Sequence, residues 1–225
     1  IHENKKLGLS LNEIINQKIK INYIIRSSKK KFGSKEIELA NKLGSIILKI
    51  SKILYKIKPK LLILYGDRIE LMSFALSSLL MKIPIVHING GEITAGAYDE
   101  LVRHSITKIS SYHFVSSKKN KNILIQMGEE KKNIFDVGHL AYENVKNTKI
   151  LNKKELEKKF SFKFLKKNAL ISFHPVTFMK DYGVNQLKIL LDCLEKRKEI
   201  KFFLSYPNND IGNDKMIELL KKYSK

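Results

Sequence analysis

Leu61-Leu62-Ile63-Leu64-Tyr65-Gly66-Asp67-Arg68 is the stretch that decides the fold. Five apolar residues without a break, closed by a glycine and two charges, read as a strand covered on both faces. Such strands belong to parallel sheets, since antiparallel ones usually alternate apolar and polar side chains. Upstream, Ile37, Leu39, Ala40, Leu43, Ile46, Ile47 and Ile50 recur at helical spacing, which predicts a helix over residues 34–57 capped by Ser34. Residues 19–25 read as an earlier strand. Downstream the rhythm repeats: helix 70–81, strand 84–88, a glycine-rich loop over 89–97, helix 99–109 and strand 112–115. A helix capped by Ser116 or Ser117 then runs to about residue 127, followed by a short strand at 134–137. Strand–helix alternation of this kind predicts an α/β doubly wound fold.

Residues 138–167 lose the pattern and gather lysines, as a linker with one short helix would. Strand 169–173, helix 181–198, strand 201–205 and helix 213–223 then resume it. The expected division is a Rossmann-like domain over 1–150, and over 151–225 a linker with the first part of a second such domain. The final ~60 residues fall short of the ~100–150 of a usual domain.

Composition narrows the function classes. The 225 residues are 43% hydrophobic and carry 43 basic against 22 acidic side chains, a net charge of +21. Arg26, Arg68, Arg103 and Arg197 are the only arginines. Nucleic-acid readers favour the bidentate guanidinium, so the scattered lysines read as solvated faces and no specific nucleic-acid partner is expected. Cys193 is the single cysteine, which excludes a disulfide framework and a multi-cysteine zinc site. No apolar run approaches the ~18 residues that cross a bilayer, and no signal peptide opens the chain, so a soluble cytoplasmic protein is expected.

Open α/β sheets bind ligands beyond the carboxyl ends of their strands. Asp67 and Arg68 follow one predicted strand; His87 ends the next, with Asn89-Gly90-Gly91-Glu92 in its loop. His174-Pro175 and Pro207-Asn208-Asn209-Asp210 follow two strands of the second half. Plainer readings stand beside these. Asp67 is a good helix cap, Arg68 and Glu70 suit a charged surface, and Gly90-Gly91 suits a tight turn. Asp99 and Arg103 are spaced for an ordinary helix ion pair. His104, His113 and His139 read as structural.

Taken in order, Gly66-Asp67-Arg68-Ile69-Glu70, His87-Ile88-Asn89-Gly90-Gly91-Glu92-Ile93-Thr94-Ala95-Gly96-Ala97-Tyr98-Asp99-Glu100 and Arg103-His104-Ser105-Ile106-Thr107-Lys108 strongly resemble UDP-N-acetylglucosamine 2-epimerases. Within that family they are most similar to the hydrolysing branch of sialic and legionaminic acid synthesis. Ser172-Phe173-His174-Pro175-Val176-Thr177 and Tyr206-Pro207-Asn208-Asn209-Asp210 match later motifs. The resemblance implies a GT-B fold of two Rossmann-like halves, here both incomplete, with a UDP-sugar as ligand and a homo-oligomer when full length. It also implies a reaction without metal or redox cofactor: the C2 proton leaves, UDP departs to give a glycal, and water adds to release the mannosamine-configured sugar. On the same footing Asp67, Glu92 and Asp99 would carry protons, with Arg103 beside them and His174 among the catalytic groups. Arg68, His174 and Asn208 would face the nucleotide, and His87 would touch the substrate or stand behind groups that do.

The chain departs from the family pattern at Asn89, where some members carry a catalytic glutamate. An amide is no base at neutral pH, so Glu92 is expected to supply the missing carboxylate. An early strand with an Arg-Ala-Asp loop and a later Gly-Asn-Ser-Ser-Gly phosphate loop are also absent from the sequence. These 225 residues alone are therefore expected to be aggregation-prone, inactive and weak at binding UDP. Rival readings are a non-hydrolysing epimerase, a GT-B glycosyltransferase, and an inactive remnant whose lysines bind polyanions.

Overall fold

Four short apolar strands build the first sheet: β1 (Leu62–Tyr65), β2 (Ile85–Ile88), β3 (Tyr112–Val115) and β4 (Ile134–Asp136). They lie in the order β1-β2-β3-β4, every pair parallel. The computed structural model describes residues 10–26, 35–174, 181–207 and 213–224. The chain divides into two compact units, Ile1–Lys146 and Asn147–Lys225.

Register and the two-residue period fix the faces of the sheet. Leu64 pairs with His87, His87 with His113 and His113 with Ile134, so these side chains share one side. The connecting helices are α3 (Ile69–Leu80), α4 (Tyr98–Ile109) and α5 (Lys118–Gln126). Each crossover steps in the same direction across the sheet, and right-handed crossovers then put all three helices on one side. The core sits there. Leu64 and Ile85 pack with Ala75 of α3 and with Val102 and Ile106 of α4, while Val115 and Ile134 pack on Leu124 of α5. Each fully buried Leu, Ile or Val in it contributes about 1.5–3 kcal/mol. A further helix, α2 (Lys35–Ile57), lies against α3 through Ile46, Ile50 and Leu54. Ser73 and Ser77, one turn apart on α3, let the two helices approach closely: Ser73 donates to the α2 carbonyl of Leu43 at 3.1 Å, and Ser77, which donates to the Ser73 carbonyl at 2.8 Å, accepts from Ser51 of α2 at 3.1 Å.

The opposite face of the sheet is an open apolar groove lined by Ile63, Ile88, Phe114, Phe135 and Val137, among others. Ile63 remains 61% exposed and Phe135 43%. A parallel sheet is stable when both faces are covered, and exposed apolar patches of this kind drive association. The 225-residue chain is therefore expected to self-associate and to bind a hydrophobic dye. The double substitution Ile63→Lys and Phe135→Lys should shift it toward monomer in sedimentation velocity while its far-ultraviolet circular dichroism is retained.

The second unit has its own parallel pair, β5 (Lys167–Ile171) beside β6 (Ile200–Leu204). Helices α8 (Val184–Glu195) and α9 (Asn213–Tyr223) pack through Leu187, Leu191, Met216 and Leu220, and Tyr223 donates its hydroxyl proton to Asp192. Phe162, Phe164 and Phe203 form an aromatic cluster.

Several expected elements differ from those observed. Residues 19–25 form no strand: among the described residues the run joins no sheet, and although Ile25 packs on α2, Ile19 and Ile24 stay half exposed. A strand exists only by virtue of a partner edge, which residue type alone does not supply. A short helix, α1 (Ser10–Asn16), precedes it. The linker holds two helices rather than one, α6 (Leu140–Asn147) and α7 (Lys153–Lys159). The second begins at a capping box in which Asn152 and Glu155 satisfy each other's backbone N–H groups. Helix α8 starts later than the periodicity predicts because the Asp181 carboxylate accepts from the N–H groups of Gly183 and Asn185, which keeps the preceding turn out of the helix. The expected cap Ser34 lies outside the described residues.

Candidate active site

At the carboxyl tip of β1 the backbone turns at Gly66, whose φ of +87° suits glycine. The turn is pinned from the next strand. His87 is completely buried, and its Nε2 lies 2.9 Å from the Gly66 carbonyl. A carbonyl can only accept, so Nε2 carries the proton, and Nδ1 accepts from the Thr107 hydroxyl at 3.1 Å. Burial lowers the His87 pKa from 6.5 to about 4, against the opposing pull of the Gly66 hydrogen bond, so the ring is neutral. Of the two roles expected for His87, this geometry favours holding the loop over touching a ligand.

Asp67 emerges from that turn and is bound by Arg103 of α4. The guanidinium is 4% exposed and also donates to the Glu92 carbonyl at 2.6 Å and to the Thr94 hydroxyl at 3.1 Å. One buried cation therefore ties the β1 tip to the β2 loop. Asp67 is not the cap of α3: Arg68 holds the N-cap position, with no capping hydrogen bond from its side chain. Arg68 is 60% exposed, with Nε 3.4 Å from Glu70. Asp99 stands in the first turn of α4, one turn before Arg103.

The β2 loop is shaped by close packing. Asn89 adopts φ +67°, a left-handed conformation that asparagine tolerates better than most residues, and its amide donates to the Tyr65 hydroxyl at 3.3 Å. A Cβ on Gly91 would stand 2.6 Å from the Asn120 carbonyl and 2.5 Å from a Leu124 methyl, so only glycine fits between the loop and α5. The next residue, Glu92, turns its carboxylate to Ser116 at the tip of β3, which donates to Oε1 at 3.0 Å. The α5 cap is Ser117, which accepts from the Asn120 N–H. That leaves Ser116 available to Glu92, a contact the sequence reading missed. A serine immediately after a predicted strand was the available signal.

In the second unit His174 follows β5, and its Nε2 lies 3.1 Å from the Ser172 hydroxyl, itself 3.1 Å from Ser205 beyond β6. Asn208 lies outside the described residues. The three histidines expected to be structural have structural neighbours. His113 meets Glu129, which also binds Lys108; His139 accepts from the Ala141 N–H at the start of α6; and His104 lies 4.0 Å from Glu100. Among the described residues no group of three or more His, Cys, Asp or Glu is placed to hold a metal ion, and no helix is long and apolar enough to cross a membrane.

A parallel α/β sheet whose β1 tip and β2 loop are tied together by a buried arginine gives this protein an α/β fold of the GT-B type. The family model described as UDP-N-acetylglucosamine 2-epimerase matches residues 2–225. The chain is 41% identical over 167 residues to the GDP/UDP-N,N'-diacetylbacillosamine 2-epimerase (hydrolyzing) of Campylobacter jejuni, covering 74% of this chain and 44% of that protein. It is 37% identical to the polysialic acid biosynthesis protein P7 of Escherichia coli, covering 71% and 41%. It is 30% identical to the UDP-N,N'-diacetylbacillosamine 2-epimerase (hydrolyzing) of Legionella pneumophila, covering 82% and 48%. The crystal structure of UDP-GlcNAc 2-epimerase from Neisseria meningitidis bound to UDP-GlcNAc shares the fold, with a TM-score of 0.71 at 21% identity over 95% of this chain and 59% of that one. The chain belongs to the UDP-N-acetylglucosamine 2-epimerase family, and it spans about half the length of the curated relatives it matches.

Proposed function

We propose that this chain belongs to a cytoplasmic hydrolysing UDP-sugar 2-epimerase that turns UDP-N-acetylglucosamine, or a 2,4-diacetamido UDP-sugar, into UDP and the free mannosamine-configured sugar for sialic or legionaminic acid synthesis. The observation that carries the reading is the Asp67–Arg103–Glu92 cluster at the strand tips, in a chain whose relatives include two named as hydrolyzing. In the first step a carboxylate takes the C2 proton, the C–H electrons form the C1=C2 bond, and the C1–oxygen bond breaks with its pair leaving on UDP. Water then adds across the double bond, hydroxyl to C1 and a proton to C2 on the opposite face. The scheme needs a proton acceptor and a proton donor on two sides of the ring, roles assigned to Asp67, Glu92 and Asp99. Arg103 orients Asp67 and the Glu92 main chain. Arg68, His174 and Asn208 are assigned to the departing nucleotide, whose growing negative charge needs donors. Asn89 offers the sugar an amide, and its lack of basicity is why the base is placed at Glu92.

The test uses the longest polypeptide the gene encodes, with either UDP-sugar in deuterium oxide. Release of UDP with free sugar deuterated at C2 is expected, and Glu92→Gln should lower turnover by about 10²–10⁴-fold, as loss of a general base does. Release of a UDP-linked product, or transfer to an acceptor without deuterium at C2, would refute the reading. Activity raised in Asn89→Glu with Glu92→Gln silent would refute the assignment of the base to Glu92 while leaving the reaction class standing.

A further inference from the structure

The chemistry of Ser116 and Asn120 fixes the direction of a short hydrogen-bond chain that ends on Glu92. Asn120 is buried on the first turn of α5, and its Nδ2 lies 2.8 Å from the Ser116 hydroxyl. An amide nitrogen only donates, so Ser116 must accept there and has its single proton left to give. An ionised carboxylate only accepts, and Glu92 Oε1 stands 3.0 Å away to receive it. The main chain of Asn120 reinforces the arrangement, since its carbonyl is the atom that leaves room only for glycine at position 91. Side chain and carbonyl of one residue thus set both the path of the loop and the direction in which Glu92 points.

From this geometry we infer that Ser116 is a positioning residue for Glu92, with Asn120 as its support, a role that rests on the proton-transfer function proposed for Glu92. The carboxylate is held by one oxygen, which leaves its other oxygen for the reacting proton. A carboxylate without that tether would sample several rotamers, and proton transfer depends on near-contact geometry.

Ser116→Ala and Ser116→Thr, made in the longest polypeptide the gene encodes, separate the possibilities. Crystal structures should show Glu92 bonded to Ser116 in the unmodified protein and to the threonine hydroxyl in Ser116→Thr, but swung away or in several rotamers in Ser116→Ala. Kinetically, Ser116→Ala should lower kcat about tenfold with KM little changed, and Ser116→Thr should stay within about threefold of the parent. A general folding defect would also lower apparent kcat with KM spared, so Ser116→Ala is expected to keep the parent's circular dichroism spectrum and Tm, which a folding defect would not. An unmoved Glu92 carboxylate in Ser116→Ala overturns the inference, and so does an unchanged kcat. If the parent itself shows no turnover, the proposed function fails for this protein, and the crystal structures alone decide whether Ser116 orients Glu92.

Discussion

Replacing Arg103 with methionine is expected to destabilise the amino-terminal unit by about 3 kcal/mol and to remove any UDP-sugar turnover. Methionine keeps much of the buried volume, so the loss is mainly electrostatic. Three acceptors depend on this guanidinium: the Asp67 carboxylate, the Glu92 carbonyl and the Thr94 hydroxyl. Deleting one partner of a buried ion pair costs about 3–5 kcal/mol. The low end applies because Asp67 keeps 30% of its side chain exposed and can recover some hydration. Arg103→Lys should recover only part of the loss, since one ammonium on a shorter reach cannot serve acceptors on both loops. Urea unfolding followed by circular dichroism measures the first effect. If Arg103→Met unfolds at the parent's midpoint, the guanidinium is not what holds the two loops together.

The parts of the fold that the sequence made legible are those decided locally. An unbroken apolar run marked β1, and short runs interrupted only by His87 and His113 marked β2 and β3; all three appear with boundaries within a residue or so. The run at residues 19–25 has similar chemistry and is no strand, because pairing depends on a neighbour far away in the chain. The candidate site divides in the same way. Strand-tip logic located Asp67, His87 and Glu92, but spacing paired Arg103 with Asp99 and pointed to no partner 36 residues away. The Arg103–Asp67 contact arises from the β1–β2 register and the placement of α4, both tertiary facts. Ser116 was hidden for a related reason. Two adjacent serines competed for one cap, and only the helix geometry shows that Ser117 takes it.

Stability should fall as the pH is lowered from about 6.5 toward 4, and His87 should account for much of the fall. The native imidazole titrates at about 4 because burial disfavours its charged form, while the unfolded chain titrates near 6.5. Between those values the unfolded state binds more protons, so acidification favours unfolding; above about 6.5 neither state is charged and the full stability is present. The span corresponds to roughly 3 kcal/mol at 1.36 kcal/mol per unit. His113, whose pKa burial also lowers against the pull of Glu129, acts in the same direction. The penalty for His87 is chiefly desolvation: its Nε2 proton stays on the Gly66 carbonyl in either state, while a proton on Nδ1 reverses the hydrogen bond with the Thr107 hydroxyl. His87→Gln tests this directly: the amide can still donate to Gly66 and accept from Thr107, but it does not titrate. Urea midpoints measured from pH 4 to 7.5 should slope less steeply in this variant than in the parent. An unchanged slope would assign the acid sensitivity elsewhere. A neutral His87 also bears on the site, because it holds the turn that presents Asp67 to Arg103 without placing a second buried cation next to that pair.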